Sequence, residues 1–113
     1  MLGNIGKVRM SYLKNIMREE HQRLQVLYQK YIDKIDSLPK GTVSIKKRNK
    51  RDYLYLASRR DGKVKFDYIG SVASENARKI LEQVKVRKDY QLKLKQVKGN
   101  LREIEKVIRG RKI

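Results

Sequence analysis

The sequence predicts an α+β fold: two long helices form an antiparallel, coiled-coil-like helical hairpin, and a three-stranded antiparallel β-meander is inserted between them. Three observations predict it. Apolar residues recur at steps of three or four near both ends of the chain, short β-branched and aromatic runs lie between them, and Pro and Gly separate these segments. The length of 113 residues is that of a single domain with a modest core.

The first helix is predicted over residues 8–37. Its apolar stripe has heptad-like spacing and comprises Met10, Leu13, Met17, His21, Leu24, Tyr28, Tyr31, Ile35 and Leu38. Pro39 and Gly41 follow directly. Because proline disfavours helical geometry in the residue before it, we expect the helix to end near Ser37.

The β-meander is predicted over residues 42–69, from the runs TVSIKK, YLYLAS and VKFDYI. Asp61-Gly62 is a two-residue hairpin signal, because glycine adopts the positive φ of a type I′ turn, and the longer RNKRD segment makes the first hairpin. The second turn sets a register that pairs Arg60 with Lys63, Ala57 with Phe66, Tyr55 with Tyr68, and Leu54 with Ile69.

This register places the aromatic residues and the leucines on opposite faces of the sheet. A sheet of three strands must pack one face on something apolar, and the helices are the only candidates. The aromatic face is either this core face or a surface that stacks on unpaired bases. We favour burial, since the alternative leaves only Leu54, Leu56 and Ile69 to hold the sheet.

The second helix is predicted over residues 72–109. Its stripe comprises Ile80, Gln83, Arg87, Tyr90, Leu94, Val97, Leu101, Ile104 and Ile108. Ser71 or Ser74 can cap its start and Gly110 can close its end. Gly99 costs about 1 kcal/mol relative to alanine, but the apolar spacing passes through it, so we expect the helix to continue. Residues 1–7 and 110–113 are expected to be disordered.

The charge balance points to a polyanionic partner. Thirty Lys and Arg against twelve Asp and Glu give a formal charge of +18. A nucleic acid would relieve the self-repulsion by releasing counterions from its phosphates, and an anionic membrane is the weaker alternative. With no Cys there is no disulfide or thiolate site. No signal peptide or membrane span is apparent, so we expect a cytoplasmic protein that does not enter the membrane.

Nothing in the sequence predicts an enzyme. The single histidine, His21, lies in the first apolar stripe, and neither a cysteine nor a second histidine can complete a metal set or a nucleophilic pair. The neighbouring carboxylates lie in helical stretches beside Lys or Arg, as in solvated salt-bridge faces. We therefore expect no catalytic residue, no cofactor and no metal.

Basic residues are densest around the hairpins and on the second helix. Each alone could serve solubility, but the cluster exceeds that need, because mixed charges solubilise equally well. The predicted phosphate-contacting residues are Lys46, Lys47, Arg48, Lys50, Arg51, Arg59, Arg60, Lys63, Lys65, Arg78, Lys85 and Lys88. If the aromatic face is exposed, the residues that stack on bases are Tyr53, Tyr55 and Tyr68, and Phe66 on the same face can stack as well.

The segments LPKGTVSIKK and YLYLASRRDGKVKFDYIG, with the charged helix after them, resemble a small, largely uncharacterised family of bacterial, archaeal and mobile-element proteins over residues 38–108. The resemblance implies no catalytic residues. More loosely, three strands followed by a helix are similar to the arm-type DNA-binding domains of phage integrases, whose sheet enters a major groove. On that analogy the residues facing DNA are Lys46, Arg48, Tyr55, Arg59, Lys63 and Lys65.

The function we expect is non-enzymatic binding of duplex or structured RNA or DNA through the basic meander and the second helix. One alternative is a phage-type inhibitor such as an anti-CRISPR, which blocks a nuclease ribonucleoprotein by occupying its nucleic-acid groove or guide RNA. Another is a homo-oligomer, such as a homodimer formed through the helical hairpin, whose charge only solubilises it. Salt-dependent binding to bare nucleic acid would distinguish the first from the other two.

Overall fold

A computed structural model describes residues 2–109 of the chain, with side chains from residue 11 onward. It confirms the α+β class and the β-meander, with strand order β1-β2-β3 in one antiparallel sheet. The elements are α1 (Leu2–Ser37), β1 (Thr42–Arg48), β2 (Arg51–Arg60), β3 (Lys63–Ser71) and α2 (Glu75–Ile108).

The chain divides into two compact units. We call the first the helical unit; it comprises Met1–Asp33 and Leu92–Ile113. We call the second the sheet unit; it comprises Lys34–Gln91 and contains all three strands.

In the helical unit the two helices run antiparallel. His21 Nε2 lies 3.4 Å from Glu105 Oε1, and the Lys98 ammonium lies 6.0 Å from the ring centroid of Tyr28. From His21 to Tyr28 along α1, the contacted residue of α2 moves back from Glu105 to Lys98. This is the pairing of antiparallel helices. The buried residues of this unit's seam are Leu24 and Val97.

The predicted first stripe is only partly covered. His21 is half-buried in the seam as expected, whereas Leu13 is 55% exposed. The side chain of Met10 lies outside the described residues. On the outer surface of α1, a hydrogen bond from Arg23 to the carboxylate of Glu20 lowers the pKa of that carboxyl below its usual range.

The helix ends differ from the predicted ones. Helix α1 begins at Leu2, before the predicted start at residue 8, so residues 2–7 are helical instead of disordered. Helix α2 begins at Glu75, because Ser74 is its cap: the Ser74 hydroxyl accepts a hydrogen bond from the Ala77 amide at 3.2 Å. The helix passes through Gly99 without a break, as predicted, while Gly110 lies outside the described residues.

The first hairpin is tighter than predicted. The expectation of a longer RNKRD loop is wrong, because Asn49 and Lys50 both adopt positive φ, 51° and 66°. These values are those of a type I′ turn, the same turn that Asp61 and Gly62 make with φ of 53° and 75°. Both strands therefore stay paired up to the two-residue turn.

The predicted register of β2 and β3 is confirmed for three of its four pairs. Arg60 faces Lys63, Ala57 faces Phe66 and Tyr55 faces Tyr68. The predicted pair of Leu54 with Ile69 is wrong, since Leu54 faces Gly70. The register shifts between Leu54 and Tyr55, so one extra residue of β3 is accommodated there as a bulge.

The packed face of the sheet is the leucine face, so the burial we favoured for the aromatic face is wrong. Leu54 is fully buried, whereas Phe66 is 49% and Tyr68 59% exposed. The prediction overlooked β1, whose Val43 lies opposite Leu56 and borders Leu81 of α2. The buried residues of the sheet unit are Ile35, Leu54, Ala77 and Val84.

Candidate nucleic-acid interface

The sheet presents one face that combines aromatic rings with cations; it is exposed at Phe66 and Tyr68 and half-buried at Tyr53 and Tyr55. Because side chains alternate along a strand, the observed register assigns every second residue of each strand to this face. We call it the aromatic face; its members are Thr42, Ser44, Lys46, Arg48, Arg51, Tyr53, Tyr55, Ala57, Arg59, Val64, Phe66, Tyr68 and, beyond the bulge, Ser71.

The rings of the aromatic face form a continuous group across β2 and β3. The ring centroids of Tyr55 and Tyr68 are 5.5 Å apart in an edge-to-face arrangement, and those of Tyr53 and Tyr68 are 6.1 Å apart. Such spacings are those of favourable aromatic pairs. Tyr68 is therefore held by two neighbours while it remains mostly exposed.

Lys46 brings a positive charge into the centre of this group. Its ammonium lies 4.3 Å from the ring centroid of Phe66 and 4.9 Å from that of Tyr55. Both distances are within the range of a cation–π interaction. The side chain is half-buried, so its charge is held against the rings.

The charges of the strands are sorted between the two faces. The aromatic face carries Lys46, Arg48, Arg51 and Arg59, and the register places no acidic residue of β1, β2 or β3 on it. Asp52 faces Lys47, and Asp67 faces Leu56, on the leucine face. Composition alone does not require this separation, and it leaves the aromatic face uniformly positive.

The predicted phosphate-contacting residues do not form one site. All twelve except the half-buried Lys46 are exposed. Those on the leucine-face side of the strands are Lys47, Arg60, Lys63 and Lys65, and Lys50 occupies the first turn. Arg60 is partly neutralised, because its guanidinium lies 3.0 Å from Asp67 Oδ1 and 3.2 Å from Oδ2.

The predicted residues of the second helix lie elsewhere in the sheet unit. Arg78, Lys85 and Lys88 border a shallow groove of about 470 Å³ beside Val43. Since Val43 is on the leucine face, this groove is separate from the aromatic face. The structure therefore does not bring these three cations together with Lys46.

Both hairpins end in like-charged pairs. Arg48 faces Arg51 next to the first turn, and Arg60 faces Lys63 next to the second. Like charges directly opposite each other destabilise a sheet. Asp67 offsets the second pair through Arg60, while among the residues with described side chains no acid pairs with the first.

The chain was compared with known families and proteins. The family model of a domain of unknown function, DUF6788, matches residues 13–79. The chain belongs to the DUF6788 family. No curated protein and no solved structure gives a significant match.

The DUF6788 region contains the whole aromatic face. It covers most of α1, all three strands and the beginning of α2, and so starts earlier and ends earlier than the span of 38–108 expected from the sequence. Arg78 lies inside the matched region, whereas Lys85 and Lys88 lie beyond it. The family description assigns no activity to these residues.

The part of the DUF6788 chain that the structure describes contains no metal-binding group of side chains and no membrane-spanning helix. Among the described residues, no three His, Cys, Asp or Glu side chains are grouped so that they could hold a metal ion. Neither α1 nor α2, over the part that the structure describes, has the length and apolar character needed to cross a membrane.

Sequence reasoning placed Val64 and Phe66 on the aromatic face, but the candidate stacking residues were chiefly the tyrosines. Val64 is 53% exposed, and Phe66 is as open as its neighbours. The error was our preference for burying that face, because both residues are exposed on it. The missing signal was the apolar contribution of β1 to the opposite face.

Proposed function

We propose that this protein is a non-enzymatic nucleic-acid-binding protein whose aromatic face receives the strand. The observation that carries the proposal is the separation of charge: one exposed sheet face has four cations, four aromatic rings and no acidic residue. Phosphates complement the cations, and bases complement the rings.

The affinity in this proposal comes mainly from Lys46, Arg48, Arg51 and Arg59. Each cation that approaches a phosphate releases condensed counterions, and this release favours binding at low salt. Phosphate contacts hold the strand in place but do not read its sequence. The protein therefore binds many sequences with similar affinity.

The pair of Arg48 and Arg51 supports this assignment. Two arginines directly opposite each other cost about 0.2–1 kcal/mol of sheet stability relative to a neutral pair. A phosphate placed between them would turn that repulsion into two charge-assisted hydrogen bonds. The pair is thus unfavourable in the free protein and favourable in the complex.

The test is fluorescence anisotropy of labelled oligonucleotides, RNA and DNA, titrated with the protein at several salt concentrations. The logarithm of the association constant should fall linearly with the logarithm of salt, with a slope of about 0.7–0.9 per phosphate contacted. Changing Arg48, Arg51 and Arg59 to Glu together should weaken binding and reduce that slope by about 2–3.

The matched control reverses three exposed cations of the helical unit, Lys14, Lys30 and Lys95, and so makes the same change in net charge. We expect this variant to bind more tightly than the aromatic-face variant and to keep the wild-type slope. Equal losses in both variants would show that total charge, and not this face, determines binding.

A second control reverses Lys47, Lys63 and Lys65 on the leucine-face side of the same strands. The proposal predicts a smaller loss than for the aromatic-face variant, because these residues point away from the rings. Failure of the wild-type protein to bind any bare RNA or DNA contradicts the proposal. Binding only to an assembled nuclease ribonucleoprotein would instead favour an inhibitor of the anti-CRISPR kind.

A further inference from the structure

We infer that the aromatic face takes unpaired bases, so that the preferred ligand is single-stranded RNA or DNA or a single-stranded loop. This inference rests on the proposed function and names its substrate class. It depends on the exposed rings, whereas the affinity in the proposed function comes mainly from the cations.

The first argument is the exposure of apolar side chains that the fold does not need. Val64, Phe66 and Tyr68 lie at alternate positions of β3 and are each about half exposed or more, at 53%, 49% and 59%. Leu54 is fully buried on the other face, so the core of the sheet does not include these three residues. A contiguous exposed apolar patch bordered by charges is typical of a binding site.

The second argument is that the bases of an intact double helix cannot stack on these rings. In a duplex the faces of the bases are stacked on one another, and only base edges and phosphates can be reached from a groove. In a single strand the bases can be splayed out and stacked on aromatic side chains of a sheet. Phe66 and Tyr68 are two residues apart, which spaces their Cα atoms by roughly 7 Å along β3.

The third argument is the position of Lys46. Its ammonium lies over the rings of both Tyr55 and Phe66, on the same side of the sheet as both. We expect Lys46 to contact a phosphate of a strand whose bases stack on the exposed rings beside it. The cation–π contacts then hold the ammonium ready in the free protein.

A second copy of this chain is a poorer occupant. Two aromatic faces packed on each other would bring Lys46, Arg48, Arg51 and Arg59 of both copies together without an acidic residue of the strands. Like charges across an interface oppose association. A single-stranded nucleic acid complements both features of the face, because its phosphates attract the cations and its bases can stack on the rings.

The experiment compares a single strand with a duplex of the same length and sequence at the same salt concentration, using oligo(dT) and oligo(U) as additional single strands. We expect the single strands to bind at least about tenfold more tightly than the duplex. A double variant, Phe66→Val with Tyr68→Val, keeps β-branched residues in the strand and removes both rings.

This double variant should lose roughly 25-fold or more of its affinity for single strands, because each base stacked on a ring contributes about 5- to 150-fold. Its salt slope should remain that of the wild type, since no charge has changed. The matched control is Tyr12→Ala with Leu13→Ala in the helical unit, where the side chains are 65% and 55% exposed. That control should bind as the wild type does.

A direct readout of stacking is available because the chain contains no tryptophan. In the Phe66→Trp variant, a base stacked on the new ring should quench its fluorescence on addition of a single strand and much less on addition of the duplex. This variant retains an aromatic ring and so keeps the measurement interpretable if the valine variant folds poorly.

The two proposals fail in different ways. The inference is overturned if single strand and duplex bind equally, the valine variant loses no affinity and the tryptophan is not quenched. The proposed function still stands in that case, provided that the variant with Arg48, Arg51 and Arg59 changed to Glu binds weakly. A clear duplex preference, as for a sheet inserted in a major groove, overturns the inference too. Absence of binding to every oligonucleotide overturns the proposed function and this inference together.

Discussion

Arg87 of α2 donates a hydrogen bond from Nε to the backbone carbonyl of Ile35, at 3.3 Å, within the sheet unit. Ile35 lies in the last turn of α1, and its carbonyl also accepts a hydrogen bond from the Leu38 amide at 3.2 Å, just beyond the helix. A cation at this end also interacts favourably with the helix dipole. Arg87, a polar residue of the apolar stripe predicted for the second helix, therefore stabilises the C-terminal end of α1.

We expect Arg87→Met to reduce the free energy of unfolding by about 1–2 kcal/mol, because it keeps the aliphatic packing but removes the charged donor. Urea denaturation followed by circular dichroism measures the change. The matched control is Arg78→Met on the exposed surface of the same helix, which should change stability by less than about 0.5 kcal/mol. Equal effects of the two substitutions would show that the hydrogen bond contributes nothing.

The orientation of the sheet can be tested with one residue from each face. Leu54→Ala should destabilise the protein by about 2–5 kcal/mol, because Leu54 is fully buried. Phe66→Ala should cost less than Leu54→Ala, since Phe66 is 49% exposed. Thermal unfolding of both variants measures this difference, and the opposite order would place the aromatic face in the core.

Arg51→Glu separates stability from binding. The new carboxylate lies opposite Arg48 and replaces a repulsive cross-strand pair with an attractive one, so the sheet should gain about 0.2–1 kcal/mol. Its affinity for oligonucleotides should fall, because a phosphate-contacting cation becomes an anion. A variant that is both less stable and unchanged in binding would contradict the role we assign to this arginine pair.

The first turn carries strain that glycine would remove. Lys50 has a φ of 66°, a conformation that costs a non-glycine residue about 1–3 kcal/mol. Lys50→Gly should stabilise the protein by about 0.5–1 kcal/mol after the added freedom of glycine in the unfolded chain is subtracted. Lys47→Gly, which weakens a strand interior, should destabilise it, and chemical denaturation of both variants provides the comparison.

Two glycines should respond oppositely to alanine. A Cβ on Gly41 would lie 2.6 Å from the carbonyl oxygen of Ala57, and its φ of 127° excludes other residues, so Gly41→Ala should destabilise the protein by more than about 2 kcal/mol. At Gly99 a Cβ meets nothing within 4 Å, and Gly99→Ala should stabilise α2 by about 0.5–1 kcal/mol. Melting temperatures would distinguish the two, and a loss of stability at Gly99 would contradict this account.

The sequence by itself determined the elements, because each depends on local chemistry. Spacing of three or four residues predicted both helices, the Asp61-Gly62 turn fixed most of the pairing of β2 with β3, and alternation assigned residues to faces. The bulge beside Leu54 and the left-handed conformation of Lys50 escaped prediction. Leucine does not require a bulge and lysine does not require a positive φ. The bulge and the turn conformation result from the pairing of whole strands.

Only the tertiary structure decided which face of the sheet is packed. That choice depends on the apolar surface contributed jointly by β1, β2 and α2, which are distant in sequence, and no single segment contains this sum. The same decision made the tyrosines, expected in the core, a half-buried to exposed group around Lys46, and it divided the predicted cations between surfaces. Burial is a property of the assembled fold. The candidate site depends on which residues are buried, so it too could be identified only from the assembled fold.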